Sequence, residues 1–264
     1  MPFFEFDNRL IHYVTVDKRE DKDSGCPLLF VHGAGSSHIV WALQLMEFSS
    51  THRCIAIDLS NHGKSDEAEG EASLEHGYAC EVAALVKHLD LHDFILVGHS
   101  MGGGVSMAYV LNDEFVTPKA LVLVDTCPEL ILPSVLPGLI KETVEDNISS
   151  LKRQAFEDYL DRHKLLKYEA ALKAVDPVNM QRDLRACNSF DITKRVHGIT
   201  IPTFGLVGEH DDVITPAKMQ KFLRNLPRAD IAVVRGADHV PMIEQPDEFN
   251  RLFGKFIRWV EKNT

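Results

Sequence analysis

The sequence predicts an α/β domain built on a doubly wound, mainly parallel sheet. Three observations support this fold class. Short apolar segments alternate with longer segments that are compatible with helices. Several of the apolar segments contain no polar position, as expected of parallel strands that are covered on both faces. One of them runs directly into a Gly-x-Ser-x-Gly motif at residues 98–102, which indicates a sharp turn from strand to helix.

The predicted elements follow this alternation along the chain. A β-hairpin with its turn at Asp7-Asn8 comes first, and Thr215 and Pro216 indicate the N-cap and first position of a later helix. The strands are predicted over residues 3–6, 10–16, 28–31, 54–57, 94–97, 121–124, 203–207 and 231–234. The helices are predicted over residues 41–48, 73–89, 101–111, 216–226 and 248–262.

One long region interrupts the alternation. Residues 127–198 contain no convincing strand, and an insertion of this length between two strands is usually functional. We therefore predict a helical cap over the carboxyl end of the sheet, with the core formed by residues 1–126 and 199–264. The alternative is a second covering layer with no role in binding. Leu130 and Ile131, at the start of an apolar stretch, are candidate substrate-binding residues.

Length, composition and charge limit the class of protein. The chain has 264 residues, 45% hydrophobic and 25% charged, which is enough for one large globular domain. Its 28 Lys and Arg residues against 39 Asp and Glu residues leave a net charge of −11, which argues against binding nucleic acid or an anionic membrane. No signal peptide or membrane-length apolar stretch is visible, and the five cysteines have no paired spacing. These observations predict a cytoplasmic protein with a small-molecule substrate, as a monomer or homodimer.

Ser100 is the candidate nucleophile. A strand that reverses so sharply into a helix strains its middle residue, and glycines at positions 98 and 102 let the backbones pass. The strain exposes the serine hydroxyl beside a helix N-terminus. The alternative is a glycine-rich turn in which the serine is incidental.

A serine nucleophile requires a base and an acid that orients the base. His239 is the candidate base, because it lies in a glycine-rich loop after the final strand, although a surface histidine is the alternative. Two adjacent carboxylates, Asp211 and Asp212, compete for the role of the acid in the loop after the preceding strand. Counting from the strand end favours Asp211, counting back from Pro216 favours Asp212, and Asp125 is a third option.

Backbone N–H groups are the candidate oxyanion donors. The Met101 N–H lies directly after the nucleophile, at a helix N-terminus. The Ala34 N–H would come from the glycine-rich loop after the first parallel strand. His32, Gly33 and His99 adjoin these donors and are candidate substrate-binding residues.

Together these motifs resemble the α/β-hydrolase superfamily. The matching segments are residues 32–35, 58–65, 98–103, 208–216 and 236–241. The resemblance implies an eight-stranded, mostly parallel sheet and a Ser-His-Asp triad in the chain order Ser, Asp, His. It also implies a cap after the sixth strand and no metal or organic cofactor. The sequence departs from the usual pattern in an acid loop that is one residue longer, and in Ser60-Asn61 where Pro-Gly is more usual.

The function predicted first is that of a serine hydrolase that cleaves small to medium neutral carboxylic esters, lactones or thioesters through an acyl-enzyme. A cofactor-independent lyase or C–C bond hydrolase with the same triad is one alternative, and a ligand receptor of the same fold is another. Haloalkane dehalogenases and epoxide hydrolases are disfavoured, because those relatives carry Asp where this chain has Ser100. Segments 61–66 and 210–212 combine a histidine with aspartate, but neither has paired metal-ligand spacing, so no metal is predicted.

Overall fold

The computed structural model describes residues 2–22, 24–130 and 177–264, and its centre is one eight-stranded sheet. The strands are β1 (Phe3–Phe6), β2 (Arg9–Val16), β3 (Leu28–Val31), β4 (Cys54–Ile57), β5 (Ile95–His99), β6 (Ala120–Val124), β7 (Thr203–Gly208) and β8 (Ala229–Val234). Their order is β1-β2-β4-β3-β5-β6-β7-β8. The β1–β2 and β2–β4 pairs are antiparallel and the other five pairs are parallel, so the predicted fold class is confirmed.

The five predicted helices are present with small differences at their ends, and the described residues form two more α-helices, over Pro177–Asn188 and Pro241–Glu244. In chain order, the helices are α1 (Ala42–Phe48), α2 (Ala79–His88), α3 (Met101–Val110), α4 (Pro177–Asn188), α5 (Pro216–Leu223), α6 (Pro241–Glu244) and α7 (Pro246–Asn263). The helix predicted from residue 73 begins with a wide π turn over Leu74–Tyr78. The reason is local, because the Tyr78 N–H donates to the Ser73 carbonyl at 2.9 Å across five residues. None of the described helices is both long and apolar enough to cross a membrane.

Both faces of the sheet are covered, which is why its central strands are apolar throughout. In β3, Leu29 and Val31 belong to the core on one face, whereas Leu28 and Phe30 belong to the core on the other. Successive side chains of a strand point to opposite faces, so a strand between two cores needs apolar residues at every position. Helices α2, α3, α4 and α5 contribute to the first core, and α1, α6 and α7 contribute to the second. The carboxyl ends of the parallel strands are left free to carry loops.

The two ends of the predicted cap lie next to each other at the base of the insertion. The Ile192 N–H donates to the Pro128 carbonyl at 3.0 Å, and Glu129 and Asp191 form an isolated antiparallel bridge. Helix α4 packs Met180 on the core. Ile131 lies outside the described residues, as does the rest of the insertion up to residue 176. The cap over 127–198 therefore stays a prediction.

Candidate active site

Ser100 occupies a strained turn between β5 and α3. Its backbone angles are φ 50° and ψ −116°, a region that residues with a side chain rarely adopt. Two contacts from the end of β6 hold this conformation. The Ser100 N–H donates to the Val124 carbonyl at 2.9 Å, and the Thr126 hydroxyl donates to the Ser100 carbonyl at 2.8 Å. The turn is thus imposed by the sheet as well as by the local sequence.

The flanking glycines are required by close backbone contacts. A Cβ atom at Gly98 would lie 2.2 Å from the Gly102 carbonyl oxygen. A Cβ atom at Gly102 would lie 2.4 Å from the Val31 carbonyl oxygen. Real Cβ atoms do not approach backbone this closely, so only glycine fits at either position.

Three side chains from separate loops form one hydrogen-bonded chain. The His239 Nε2 lies 3.1 Å from the Ser100 Oγ, and the His239 Nδ1 lies 2.8 Å from Asp211 Oδ2. A carboxylate can only accept, so the Nδ1 carries the proton and the Nε2 lone pair faces the serine hydroxyl. In this tautomer His239 can remove the Ser100 proton.

Asp211 is the carboxylate that the structure brings to His239. It is 3% exposed, and its Oδ1 accepts hydrogen bonds from the N–H groups of Val213 at 2.8 Å and Ile214 at 2.9 Å. Burial by itself raises the pKa of this carboxyl group, but the hydrogen bond from His239 outweighs it and lowers the pKa of Asp211 to about 2. Asp211 is therefore charged at neutral pH. Asp212 is exposed, and the ion pair with His239 is made by Asp211.

Asp125 contributes a second buried carboxyl group to the same region. Its Oδ1 accepts the Gly208 N–H at 2.9 Å. A carboxylate oxygen of Asp125, one of Asp211 and a ring nitrogen of His239 all lie within 4.8 Å of one another. Complete burial, together with the adjacent charge of Asp211, raises the pKa of Asp125 well above its ordinary value. Burial and Asp211 thus favour the neutral form of Asp125, and the charge that faces His239 belongs to Asp211.

His99 holds the backbone of His239. Its Nε2–H donates to the His239 carbonyl at 2.8 Å, and the side chain is buried. Burial and the neighbouring His239 ring lower the pKa of His99 to about 3, so its imidazole is neutral. The Nε2–H of His99 is thus used to hold the His239 backbone, and a contact of His99 with a substrate stays a prediction.

The loop after β3 lies directly against the nucleophile. A Cβ atom at Gly33 would lie 2.8 Å from the His99 Nδ1 and 3.3 Å from the Ser100 Cβ. Gly33 therefore lies beside the Ser100 side chain, and its contact with a substrate stays a prediction. Ala34 is partly exposed next to it. The Met101 N–H is the first of α3 and has no acceptor within its own helix. The oxyanion roles of Ala34 and Met101 stay predictions.

His32 holds this loop from inside the protein. It is fully buried, its Nε2 accepts the Leu59 N–H at 3.1 Å, and its Nδ1–H therefore donates to the Gly33 carbonyl at 2.8 Å. Burial and the charge of His62 lower the pKa of His32 to about 4, which keeps the ring neutral. Both nitrogens are occupied by backbone partners, so His32 shapes the loop, and a contact of His32 with a substrate stays a prediction.

Leu130 is part of the core in this structure. It has no exposed surface, and a Cβ atom at Gly104 of α3 would lie 2.9 Å from the Leu130 Cδ1. The predicted contact with a substrate would need this side chain to be uncovered. Its neighbour Ile131 lies outside the described residues.

Two groups among the described residues are compact enough to hold a metal ion. One consists of Asp125, Asp211 and His239, and the other of His12, His38 and Asp58. In the second group Asp58 accepts the Nδ1–H of each histidine at 2.8 Å, as well as the Lys64 N–H at 3.1 Å. These hydrogen bonds account for the second group as a buried network that shapes the loop after β4. The absence of a catalytic metal stays a prediction.

A further buried carboxylate near the site was not predicted. Asp183 on α4 accepts the Gly35 N–H at 2.8 Å and lies 2.8 Å from the His62 Nε2. His62 belongs to a segment that supported the family resemblance, but that resemblance assigned it no partner. An aspartate within an amphipathic helix carries no local signal of such a contact.

The comparisons with known proteins agree with this geometry. The sequence profile of the alpha/beta hydrolase family matches residues 28–252. The chain is 27% identical over 246 residues to the dihydrolipoyllysine-residue acetyltransferase component of the acetoin cleaving system of Pseudomonas putida, covering 89% of this chain but only 64% of that protein. It is 26% identical over 255 residues to a non-heme chloroperoxidase of Burkholderia pyrrocinia, covering 88% of this chain and 91% of that protein.

Solved structures share the fold over nearly the whole chain. An N-acyl homoserine lactone degrading enzyme superposes with a TM-score of 0.77 at 24% identity, covering 97% of this chain and 100% of that chain. Esterases are also among the structural neighbours. The profile match covers most of the chain, and the strand order and the turn at Ser100 agree with it. The chain therefore belongs to the alpha/beta hydrolase family.

Proposed function

We propose that this protein is a serine hydrolase that cleaves small to medium neutral carboxylic esters, including lactones and thioesters. The observation that carries the proposal is the hydrogen-bonded chain from Asp211 through His239 to Ser100, with distances of 2.8 and 3.1 Å. A serine hydroxyl is a weak nucleophile until a base removes its proton. In this series of hydrogen bonds, His239 is the base and Asp211 orients it.

The reaction uses each of these groups in turn. The Ser100 Oγ attacks the acyl carbon while the His239 Nε2 takes its proton, and the N–H groups of Ala34 and Met101 stabilise the oxyanion. His239 then returns the proton to the departing alcohol, which leaves Ser100 acylated. Water, deprotonated by His239, attacks the acyl-enzyme, and the carboxylic acid departs from the regenerated serine. Asp211 keeps His239 in the reactive tautomer and stabilises its positive charge.

Charge and hydrophobicity support neutral substrates of limited size. The net charge of −11 produces a field that disfavours anionic substrates, although salt screens it beyond roughly 10 Å. The apolar stretch over residues 130–140 favours an apolar pocket wall, as is usual in small-molecule sites. A structural neighbour degrades N-acyl homoserine lactone, and a lactone is a cyclic ester.

A series of p-nitrophenyl esters tests the substrate class. We expect kcat/KM to be highest for short and medium acyl chains and to fall towards the C12 to C16 esters, because a cap would restrict the pocket. The Ser100→Ala variant provides the background rate. A rise in kcat/KM through C16, or activation at a lipid interface, would indicate a lipase instead. A Ser100-dependent reaction on another kind of bond, without ester turnover, would indicate a lyase or C–C hydrolase. A single turnover that leaves the protein acylated would indicate a receptor.

Gly33→Ala is expected to lower kcat by about 100-fold, because displacement of a catalytic group by about 1 Å can cost that much. The new methyl group would lie 2.8 Å from the His99 ring and would push the loop away from Ser100. Gly77→Ala is the matched control, because the nearest atom to its new methyl group, the Ser73 Cβ, is 4.0 Å away. Steady-state ester kinetics on folded protein provide the measurement. Equal kcat values for the two variants would show that the loop does not need to lie so close to the serine.

A further inference from the structure

A carboxylate from a distant helix reaches the loop beside Ser100. Asp183 is fully buried on α4, and its Oδ2 accepts hydrogen bonds from the Gly35 N–H and the His62 Nε2–H, both at 2.8 Å. Its Oδ1 accepts the Tyr78 hydroxyl at 2.7 Å. Three donors from three separate parts of the chain therefore converge on one side chain, and their hydrogen bonds offset the cost of burying its charge.

The partners of His62 show that its ring is positively charged. The His62 Nδ1 lies 2.9 Å from the Ser60 carbonyl, and the Nε2 lies 2.8 Å from Asp183. Both ring nitrogens face acceptors, so both carry protons. Burial by itself lowers the pKa of His62, but the hydrogen bond to Asp183 outweighs it and the pKa is raised. Burial also opposes ionisation of Asp183, yet the hydrogen bond from His62 lowers its pKa.

The groups around this ion pair are compatible with its charges. Burial raises the pKa values of the Tyr78 hydroxyl and the Cys187 thiol and lowers that of His32, so all three are neutral. The Asp58 carboxylate favours the charged form of His62. Among the described residues, the titratable groups that interact with this pair or its neighbours include His32, Asp58, Tyr78, Glu81, Arg182 and Cys187.

The ion pair and the adjacent His32 fix the orientation of the two peptide units on either side of Ala34. His32 holds the Gly33 carbonyl, and this carbonyl shares a peptide unit with the Ala34 N–H. In a trans peptide the two groups point in opposite directions, so the hold on Gly33 sets the direction of the Ala34 N–H. Asp183 holds the next peptide unit through the Gly35 N–H. The His62 ring also packs on His32, with ring centroids 4.8 Å apart, and so supports both anchors.

We propose that Asp183 and His62 are positioning residues, whose buried ion pair holds residues 33–35 so that the Ala34 N–H faces the oxyanion. The proposal rests on the proposed function, because it assigns the loop to the oxyanion formed at Ser100. It adds that the precision of the oxyanion site depends on a side chain from α4, the helix that follows residues 131–176.

Asp183→Asn in the full chain tests this role. With its oxygen in the position of Oδ2, the asparagine can still accept the Gly35 N–H and the His62 Nε2–H, but it carries no negative charge to pair with His62. Its amide nitrogen replaces Oδ1 and cannot accept from the Tyr78 hydroxyl. We expect kcat to fall about 10- to 100-fold while KM changes less than about twofold, since oxyanion contacts form only in the transition state. Tyr78→Phe is the matched control, because it removes one hydrogen bond to the same carboxylate and leaves the ion pair intact. Its kcat is expected to stay within about threefold of wild type.

Inhibitor binding and NMR separate positioning from a general structural defect. A trifluoromethyl ketone adds to Ser100 and forms an oxyanion, whereas the carboxylic acid product does not. We expect Asp183→Asn to weaken ketone binding by the same factor as kcat/KM and to leave product binding unchanged. In the ¹⁵N spectrum at pH 7, both nitrogens of His62 are expected to be protonated in the wild type, and one in the variant. Any of three results would overturn the proposal. These are an equal loss of affinity for the ketone and the product, an unchanged kcat in the variant, or a singly protonated His62 in the wild type.

A second variant keeps the test decisive if Asp183→Asn does not fold. His62→Gln retains a donor towards Asp183 but removes the positive charge, and the same split between kcat and KM is expected. The result is also separable from the proposed function. If the Ser100→Ala variant still hydrolyses esters, the proposed function is contradicted. If the Ser100→Ala variant is inactive but the Asp183→Asn variant is folded and fully active, only the positioning role is contradicted.

Discussion

Ser100→Ala is expected to lower kcat for ester hydrolysis by about 10⁵-fold or more, because no acyl-enzyme can form without the hydroxyl. Alanine adds no atoms to the turn, so the hydrogen bond from the Ser100 N–H to Val124 is retained and the fold should be unchanged. Ser106→Ala is the matched control. Ser106 lies on α3, the helix that follows Ser100, and its hydroxyl donates to the Gly102 carbonyl at 2.7 Å. Its kcat should stay within about tenfold of wild type.

The same serine should be the only one that an organophosphonate labels. Ser100 alone among the described serines combines the strained turn with a hydrogen bond to His239. Peptide mapping of the labelled protein measures this directly. A label on a different serine, or active enzyme that takes up no label, would show that the nucleophile has been assigned to the wrong residue.

Asp211→Asn is expected to lower kcat by up to about 10⁴-fold, because asparagine keeps the shape of the side chain but favours the wrong tautomer of His239. The pKa of Asp211 is lowered to about 2, so the wild-type carboxylate is charged over the whole neutral range and the difference between the two proteins should persist there. Steady-state kinetics from pH 6 to pH 9 provide the measurement.

Asp212→Asn is the control for this substitution. Asp212 is the neighbouring residue in the same loop but is exposed, so its kcat should stay within about threefold of wild type. A larger loss at Asp212 than at Asp211 would mean that the loop adopts a different register when the enzyme is active.

The sequence by itself determined the features that depend on short-range physics. Strands 28–31 and 54–57 have the same bounds in prediction and structure, because an entirely apolar run between turns has few other stable conformations in an α/β protein. The turn at Ser100 was predictable from its motif, since the contact that requires glycine at 98 is with Gly102 in the same turn, although glycine at 102 is required by Val31 of the neighbouring strand. Helix ends were less certain, because capping contacts such as that of Ser73 vary in geometry.

Only the tertiary structure decided which polar side chains meet. Asp211 and Asp212 are the same residue type at adjacent positions, so the sequence could not choose between them. In the structure, the Asp211 side chain contacts His239, which lies 28 residues further along the chain. His99 and the His239 carbonyl are 140 residues apart, and His62 and Asp183 are 121 apart. Such pairs leave no periodic or spaced pattern in a sequence. Their hydrogen bonds form because the parallel sheet brings the carboxyl ends of its strands, and the loops that follow them, to one edge.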